Sequence, residues 1–278
     1  DQQGLAHFVE HMAFNGSTHF QKHELVDYLQ SIGVKFGADL NAYTSFDETV
    51  YVLPIPLDRP ENLGKAFQVL EDWAHGLTFD DAVIDKERGI VLEELRLGKG
   101  AGDRIGKQLY PKIYNGSRYA ERLPIGKEEV LRSFAPDTLR RYYRDWYRPD
   151  LMAVVAVGDI DPKVIEKLVK AHFGKLTNPT PSRPRVYAEI PRREQTEAVV
   201  VTDKEAGGNS ILVRYPVQPV REPNTVRGYR EQLVEGLFGG MLGARLQELS
   251  QLAEPPFLRG GSALGHLTPF YKSFNASA

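Results

Sequence analysis

The chain has 278 residues, 41% of them hydrophobic and 26% charged, with 35 basic side chains against 37 acidic ones. That near-neutral balance excludes the basic footprint of a nucleic-acid binder, and no apolar run of about 18 residues exists to span a membrane. With no cysteine there are no disulfides, no thiolate metal ligands and no cysteine nucleophile.

In chain order, Gly4 to Phe14 reads as a helix. His23–Ile32 ("HELVDYLQSI") reads as a second, from its apolar residues at helical spacing. Leu40–Pro56, rich in Thr, Tyr, Val and Phe, has strand character. Glu61–Gly76 is an amphipathic helix. Asp81–Leu97 is another, with Asp80 and Asp81 at its start and Gly98 just past its end. Gly98–Gly106 ("GKGAGDRIG") reads as a glycine-rich loop. It follows a helix rather than a strand and lacks a GK[ST] ending, which argues against a phosphate loop.

Pro136–Trp146 reads as helical, Leu151–Asp161 ("LMAVVAVGDID") as a buried strand, and Pro162–Phe173 as a further helix. Lys175–Gln195 carries several prolines and little periodicity, so it reads as a linker. Glu197–Val217 reads as two strands around a turn, and Arg227–Leu252 as a long helix. The expected organisation is a first domain over 1–185, a linker over 186–196 and a second domain over 197–278. The chain opens on Asp1 without an initiator Met and reads as an excised piece, so a missing leader carries no information.

The chemistry concentrates in "HFVEH", His7 to His11. At about 100° per residue, with His7 at the origin, His11 falls at roughly 40° and Glu10 at roughly 300°. Leu5, Phe8, Val9 and Met12 occupy the other side. One face therefore packs, while the other presents two imidazoles one turn apart with a carboxylate beside them. Imidazole nitrogen is a preferred zinc ligand, and catalytic zinc keeps three protein ligands and a water. Glu10 could take a proton from that water. The bland alternative is a solvated helix face, and chance would place an HxxEH in on the order of one such chain in a hundred.

A third ligand is sought on Asp81–Leu97. With Glu87 as origin, Glu94 falls on the same stripe as Val83, Ile84, Ile90 and Val91, while Glu93 falls on the polar side. A carboxylate on an apolar stripe needs a partner, either a metal ion or a basic side chain. Helix geometry alone leaves Glu87 and Glu94 as equal candidates.

These residues resemble the pitrilysin/insulinase family of zinc metallopeptidases, the inverzincins, in which HxxEH inverts the commoner HExxH. "GLAHFVEHMAFNGS", "NAYTSFDETVY", "KERGIVLEELR", "RLPIGKEEVL" and "WYRPDLMAVVAVGDID" occur in the order that family shows, over nearly the whole chain. The resemblance implies His7, His11 and Glu94 as ligands of one Zn2+ per catalytic domain. It implies Glu10 as the catalytic base on the zinc-bound water and Glu87 as the supporting acid. It implies that "NAYTS" is an edge strand on which a peptide substrate adds as an extra strand, with Asn41, Ala42 and Tyr43 in contact.

The implied fold is α+β: a mixed, largely antiparallel sheet with helices packed on it, followed by the start of a second similar domain. The implied function is zinc endopeptidase, in a setting such as the bacterial periplasm. The expected further partner is a C-terminal half or separate subunit that closes the site. A non-catalytic peptide-binding subunit of a processing complex and a metal-independent binding module are the alternatives. The first is disfavoured because the HxxEH set is intact.

Overall fold

The computed structural model describes residues 1–21, 24–34, 41–220 and 224–278. The chain forms two compact units, Asp1–Gly98 with Arg122–Tyr187, and Lys99–Glu121 with Ala188–Ala278. Every strand ladder among the described residues is antiparallel.

The first unit opens with helix α1 (Leu5–Met12) and helix α2 (Glu24–Ser31). A hairpin of strands β1 (Asn41–Thr44) and β2 (Thr49–Val52) follows, in the register Asn41↔Val52 to Thr44↔Thr49. Helices α3 (Pro60–His75) and α4 (Asp81–Leu97) come next. His23 and Leu40, the first residues of two expected elements, lie outside the described residues.

The second unit takes helix α5 (Ala101–Ile113) from the middle of the chain. The first unit resumes with helices α6 (Glu128–Ser133), α7 (Pro136–Trp146) and α8 (Pro162–Phe173). In the second unit, strands β3 (Leu212–Arg214) and β4 (Gln218–Pro219) precede the long helix α9 (Val226–Ser250). Strands β5 (Gly261–Thr268) and β6 (Tyr271–Ser277) close it, with β6 pairing β3, β4 and β5.

Helix α1 is held by its apolar face. Leu5, Phe8, Val9 and Met12 are buried with Phe79, Val83, Ile84 and Val91 around α4 and with Leu131, Phe134, Leu139 and Tyr143 from α6 and α7. The indole of Trp73 donates to Ala13 O at 2.9 Å, satisfying a carbonyl at the C-terminal end of α1. Arg88 of α4 donates to Leu131 O and, at 3.1 Å, to Phe134 O, and its guanidinium lies 4.1 Å from the Phe134 ring centroid. Those bonds fix α4 against α6, and α1 and α4, the two helices carrying the candidate site, share one core with it.

The entry to α1 depends on a close backbone approach. Gly4, its N-cap, and Gly126 both have positive φ, and a Cβ on Gly126 would collide with the Gly4 backbone. Gly126→Ala is expected to destabilise the chain by on the order of 3 kcal/mol, combining left-handed strain with that collision. Gly33 also has positive φ but faces open space, so Gly33→Ala should cost only about 1 kcal/mol of strain. Urea unfolding of the two variants checks this; equal losses would remove the collision as the cause.

Three expected elements differ. Gly98–Gly106 is not one loop, because α5 begins at Ala101. Asp103 sits in its first turn and pairs with Lys107 at 2.7 Å, which outweighs the helix cost of Gly102 and Gly106. Leu151–Asp161 forms no strand and is not buried: Val155 is 80% and Val157 92% exposed. A strand exists through its ladder, and no described segment pairs with this one. Of the two strands expected in Glu197–Val217, only Leu212–Arg214 pairs, against Asn275–Ser277 of β6. The β5–β6 hairpin, rich in Ser, Gly and Ala, lacked the bulky β-branched pattern by which strands are read.

Candidate metal centre

His7 and His11 leave the solvent side of α1 one turn apart, their rings edge to face at 4.7 Å between centroids. Both side chains are mostly covered, at 12% and 20% exposure. Glu94, from the last turn of α4, comes up to them. Its Oε1 lies 3.6 Å from His7 Nε2, its Oε2 lies 3.4 Å from His11 Nε2, and the two Nε2 atoms are 3.3 Å apart. Ligand atoms about 2.0–2.1 Å from a tetrahedral ion stand roughly 3.3–3.4 Å from one another. This donor triangle, with one atom from each side chain, closes within 4.8 Å, and two contacts at His11 Nε2, of 3.3 and 3.4 Å, match the spacing a zinc ion requires. Among the described residues it is the one group of three His, Asp or Glu side chains so disposed.

Glu87 occupies a different place. It is 5% exposed, and its Oε1 accepts from His11 Nδ1 at 2.7 Å. A carboxylate only accepts here, so His11 carries its proton on Nδ1 and leaves the Nε2 lone pair aimed at the triangle. Glu87 Oε2 accepts from Asn15 Nδ2 at 3.1 Å, and the same amide donates to His11 O at 3.0 Å.

The stripe reading thus separates into two environments. Glu87 is buried and partnered, as expected. Glu94 is not buried: its side chain is half exposed, and Ile90 is 47% exposed. Beyond Val91 the helix opens to solvent, and Leu92 and Leu95 pack against the core only partly buried. That opening leaves the donor triangle accessible from solvent. Glu93 points away and is clamped by Arg96, with two contacts of 2.7 Å.

The imidazoles are driven apart electrostatically. Burial, and then the neighbouring His11, lower the pKa of His7 below its ordinary value. Burial also opposes protonation of His11, but the hydrogen bond and charge of Glu87 outweigh it and raise that pKa. The charge of Glu10 acts on both rings. Glu10 Oε2 accepts from Thr44 Oγ1 at 2.5 Å, which ties the end of β1 to α1.

Asn41, Ala42 and Tyr43 lie on β1, whose one ladder among the described residues is with β2. Among the described residues no strand pairs with the opposite edge, and Tyr43 is 48% exposed. Asn15 and Thr44 were missed as contacts of the acidic residues. Asn15 follows His11 by one helical turn, a spacing that could have flagged it.

Comparison with known proteins agrees in kind. Insulinase (Peptidase family M16) matches residues 1–121, and Peptidase M16 inactive domain matches residues 133–267. The zinc protease PQQL-like protein of Arabidopsis thaliana is 39% identical over 92% of this chain, and "Probable zinc protease PqqL" of Escherichia coli is 33% identical over 98%. The chain spans 27% and 29% of their respective lengths. The crystal structure of the first half of the periplasmic protease PqqL from Escherichia coli superposes with a TM-score of 0.86 at 31% identity. That match covers 99% of this chain and 59% of that one. Pitrilysin, at 21% identity and a TM-score of 0.65, shares the fold over 99% of this chain and 29% of its own.

Proposed function

The chain belongs to the insulinase family, peptidase family M16, and we propose that it is the zinc-binding catalytic part of a larger metalloendopeptidase. The observation that carries this reading is the donor triangle of His7, His11 and Glu94 with Glu10 on the same face of α1. Zinc held there would act as a Lewis acid toward a peptide carbonyl and lower the pKa of a bound water. Glu10 is the base that accepts a proton from the attacking water and returns it to the departing amine. Glu87 supports the site by holding the tautomer and direction of His11.

The open edge of β1 would take an extended peptide through main-chain hydrogen bonds at Asn41, Ala42 and Tyr43. Such pairing needs unfolded backbone, which suits peptides or small unfolded proteins as substrates. Residues 1–185 form the catalytic domain in this reading, and 197–278 begin a second domain of the same family. The segment matching the inactive domain, 133–267, contains none of the four site residues. The remainder of the parent protein, or a partner subunit, would close the site. The periplasmic description of the Escherichia coli relative supports the same compartment here. No described helix is long and apolar enough to cross a membrane.

Full-length protein should purify with one zinc per catalytic domain and cleave a quenched fluorescent peptide. A chelator should abolish cleavage and added zinc should restore it. Chelator-resistant turnover, or a folded protein without zinc affinity, would reject the metallopeptidase reading. Zinc binding without turnover under any condition would favour a peptide-binding subunit.

A further inference from the structure

Two threonine hydroxyls stand in line behind Glu10, whose charge also reaches the phenols of Tyr51 and Tyr147. Thr44 Oγ1 donates to Glu10 Oε2 at 2.5 Å. Thr44 and Thr49 are cross-strand partners in the β1–β2 hairpin, with their Oγ1 atoms 3.2 Å apart. The hydroxyls of Tyr147 and Tyr51 are 2.7 Å apart.

The direction of this line follows from counting hydrogens, since a hydroxyl has one to give and a carboxylate none. Thr44 gives its hydrogen to Glu10 and so accepts from Thr49. Both dipoles point at the Glu10 carboxylate and reinforce one another.

Thr49 lies on β2 together with Tyr51, whose side chain anchors that strand. The Tyr51 ring stacks on buried Trp73 at 5.0 Å, and the Tyr147 ring lies 4.6 Å from Tyr143. The near end is the terminal residue of β1, the strand that carries Asn41 to Tyr43.

We propose that Thr44, backed by Thr49, is a positioning residue that sets the orientation of the Glu10 carboxylate and couples it to the β1–β2 hairpin. This rests on Glu10 acting as the base. One carboxylate oxygen is committed to Thr44, so the other is the one left to meet water. A peptide seated along β1 therefore bears on the strand whose last side chain aims the base.

The test uses full-length protein and a quenched peptide. Thr44→Val keeps the β-branched shape and removes the hydroxyl. It should lower kcat about 10- to 100-fold, the worth of a hydrogen bond to a charged group, while KM and zinc content stay unchanged. Thr44→Ser should restore kcat to within about threefold, and Thr49→Val should give a smaller loss than Thr44→Val. On a Glu10→Gln background, Thr44→Val should add no further loss, because the two act as one unit. In metal-free protein, the infrared carboxylate band identified by its loss in Glu10→Gln should shift in Thr44→Val and stay in place in Thr44→Ser.

Wild-type kcat in Thr44→Val, an equal loss in Thr44→Ser, or an unshifted carboxylate band would overturn the proposal while leaving Glu10 as the base. Wild-type turnover in Glu10→Gln would overturn the base assignment and this proposal with it.

Discussion

Glu10→Gln is expected to lower peptide cleavage by the full-length protein about a thousandfold while leaving zinc bound at the original stoichiometry, the range in which general-base catalysis operates. The substitution is nearly isosteric. The amide oxygen can still accept from Thr44 Oγ1, so the 2.5 Å contact that ties α1 to β1 has a replacement. The donor atoms of His7, His11 and Glu94 are untouched, and the core beneath α1 involves Leu5, Phe8, Val9 and Met12 instead. What the variant loses is the capacity to receive a proton. Zinc analysis and kcat on the same preparation separate that loss from a collapse of the site. A variant that keeps zinc and cleaves at the wild-type rate would remove Glu10 from the role.

The parts of the fold legible in the sequence are those set by local periodicity. The bounds Asp81–Leu97, Pro136–Trp146 and Pro162–Phe173 emerge as read, because each has its own stop signal and, in Asp80, Pro136 and Pro162, its own start. The face of α1 bearing His7 and His11 is legible for the same reason, since four buried apolar residues fix the phase of the helix. Burial of Glu87 follows from phase as well. Exposure of Glu94 does not, because phase says which way a residue points but not where the neighbouring core ends. The hydroxyl line is out of reach of such reading. Thr44 lies 34 residues from Glu10, and Tyr51 and Tyr147 are 96 residues apart. No periodicity links side chains brought together from two helices and a hairpin. Leu151–Asp161 fails for a related reason, since its composition suits a strand while pairing depends on a neighbour that composition does not supply.

Glu94→Ala is expected to weaken zinc binding by more than the roughly 10- to 100-fold typical of losing a group behind a ligand, and with it to abolish cleavage. The three glutamates of α4 give an internal scale. Glu94 supplies one corner of the donor triangle, at 3.4 and 3.6 Å from the two Nε2 atoms. Glu87 touches only the far side of the His11 ring, at Nδ1, so Glu87→Gln should cost about 10- to 100-fold in affinity and leave the triangle intact. Glu93 is exposed and engaged with Arg96, so Glu93→Gln should bind zinc as the wild type does. Half of the Glu94 side chain is open to solvent, and replacing it leaves no buried charge unpaired. The fold should therefore survive, and competition titration with a chromophoric chelator reads affinity alone. If Glu94→Ala binds zinc no more weakly than Glu87→Gln does, then Glu94 is not a ligand and the third corner of the triangle must be supplied by another group.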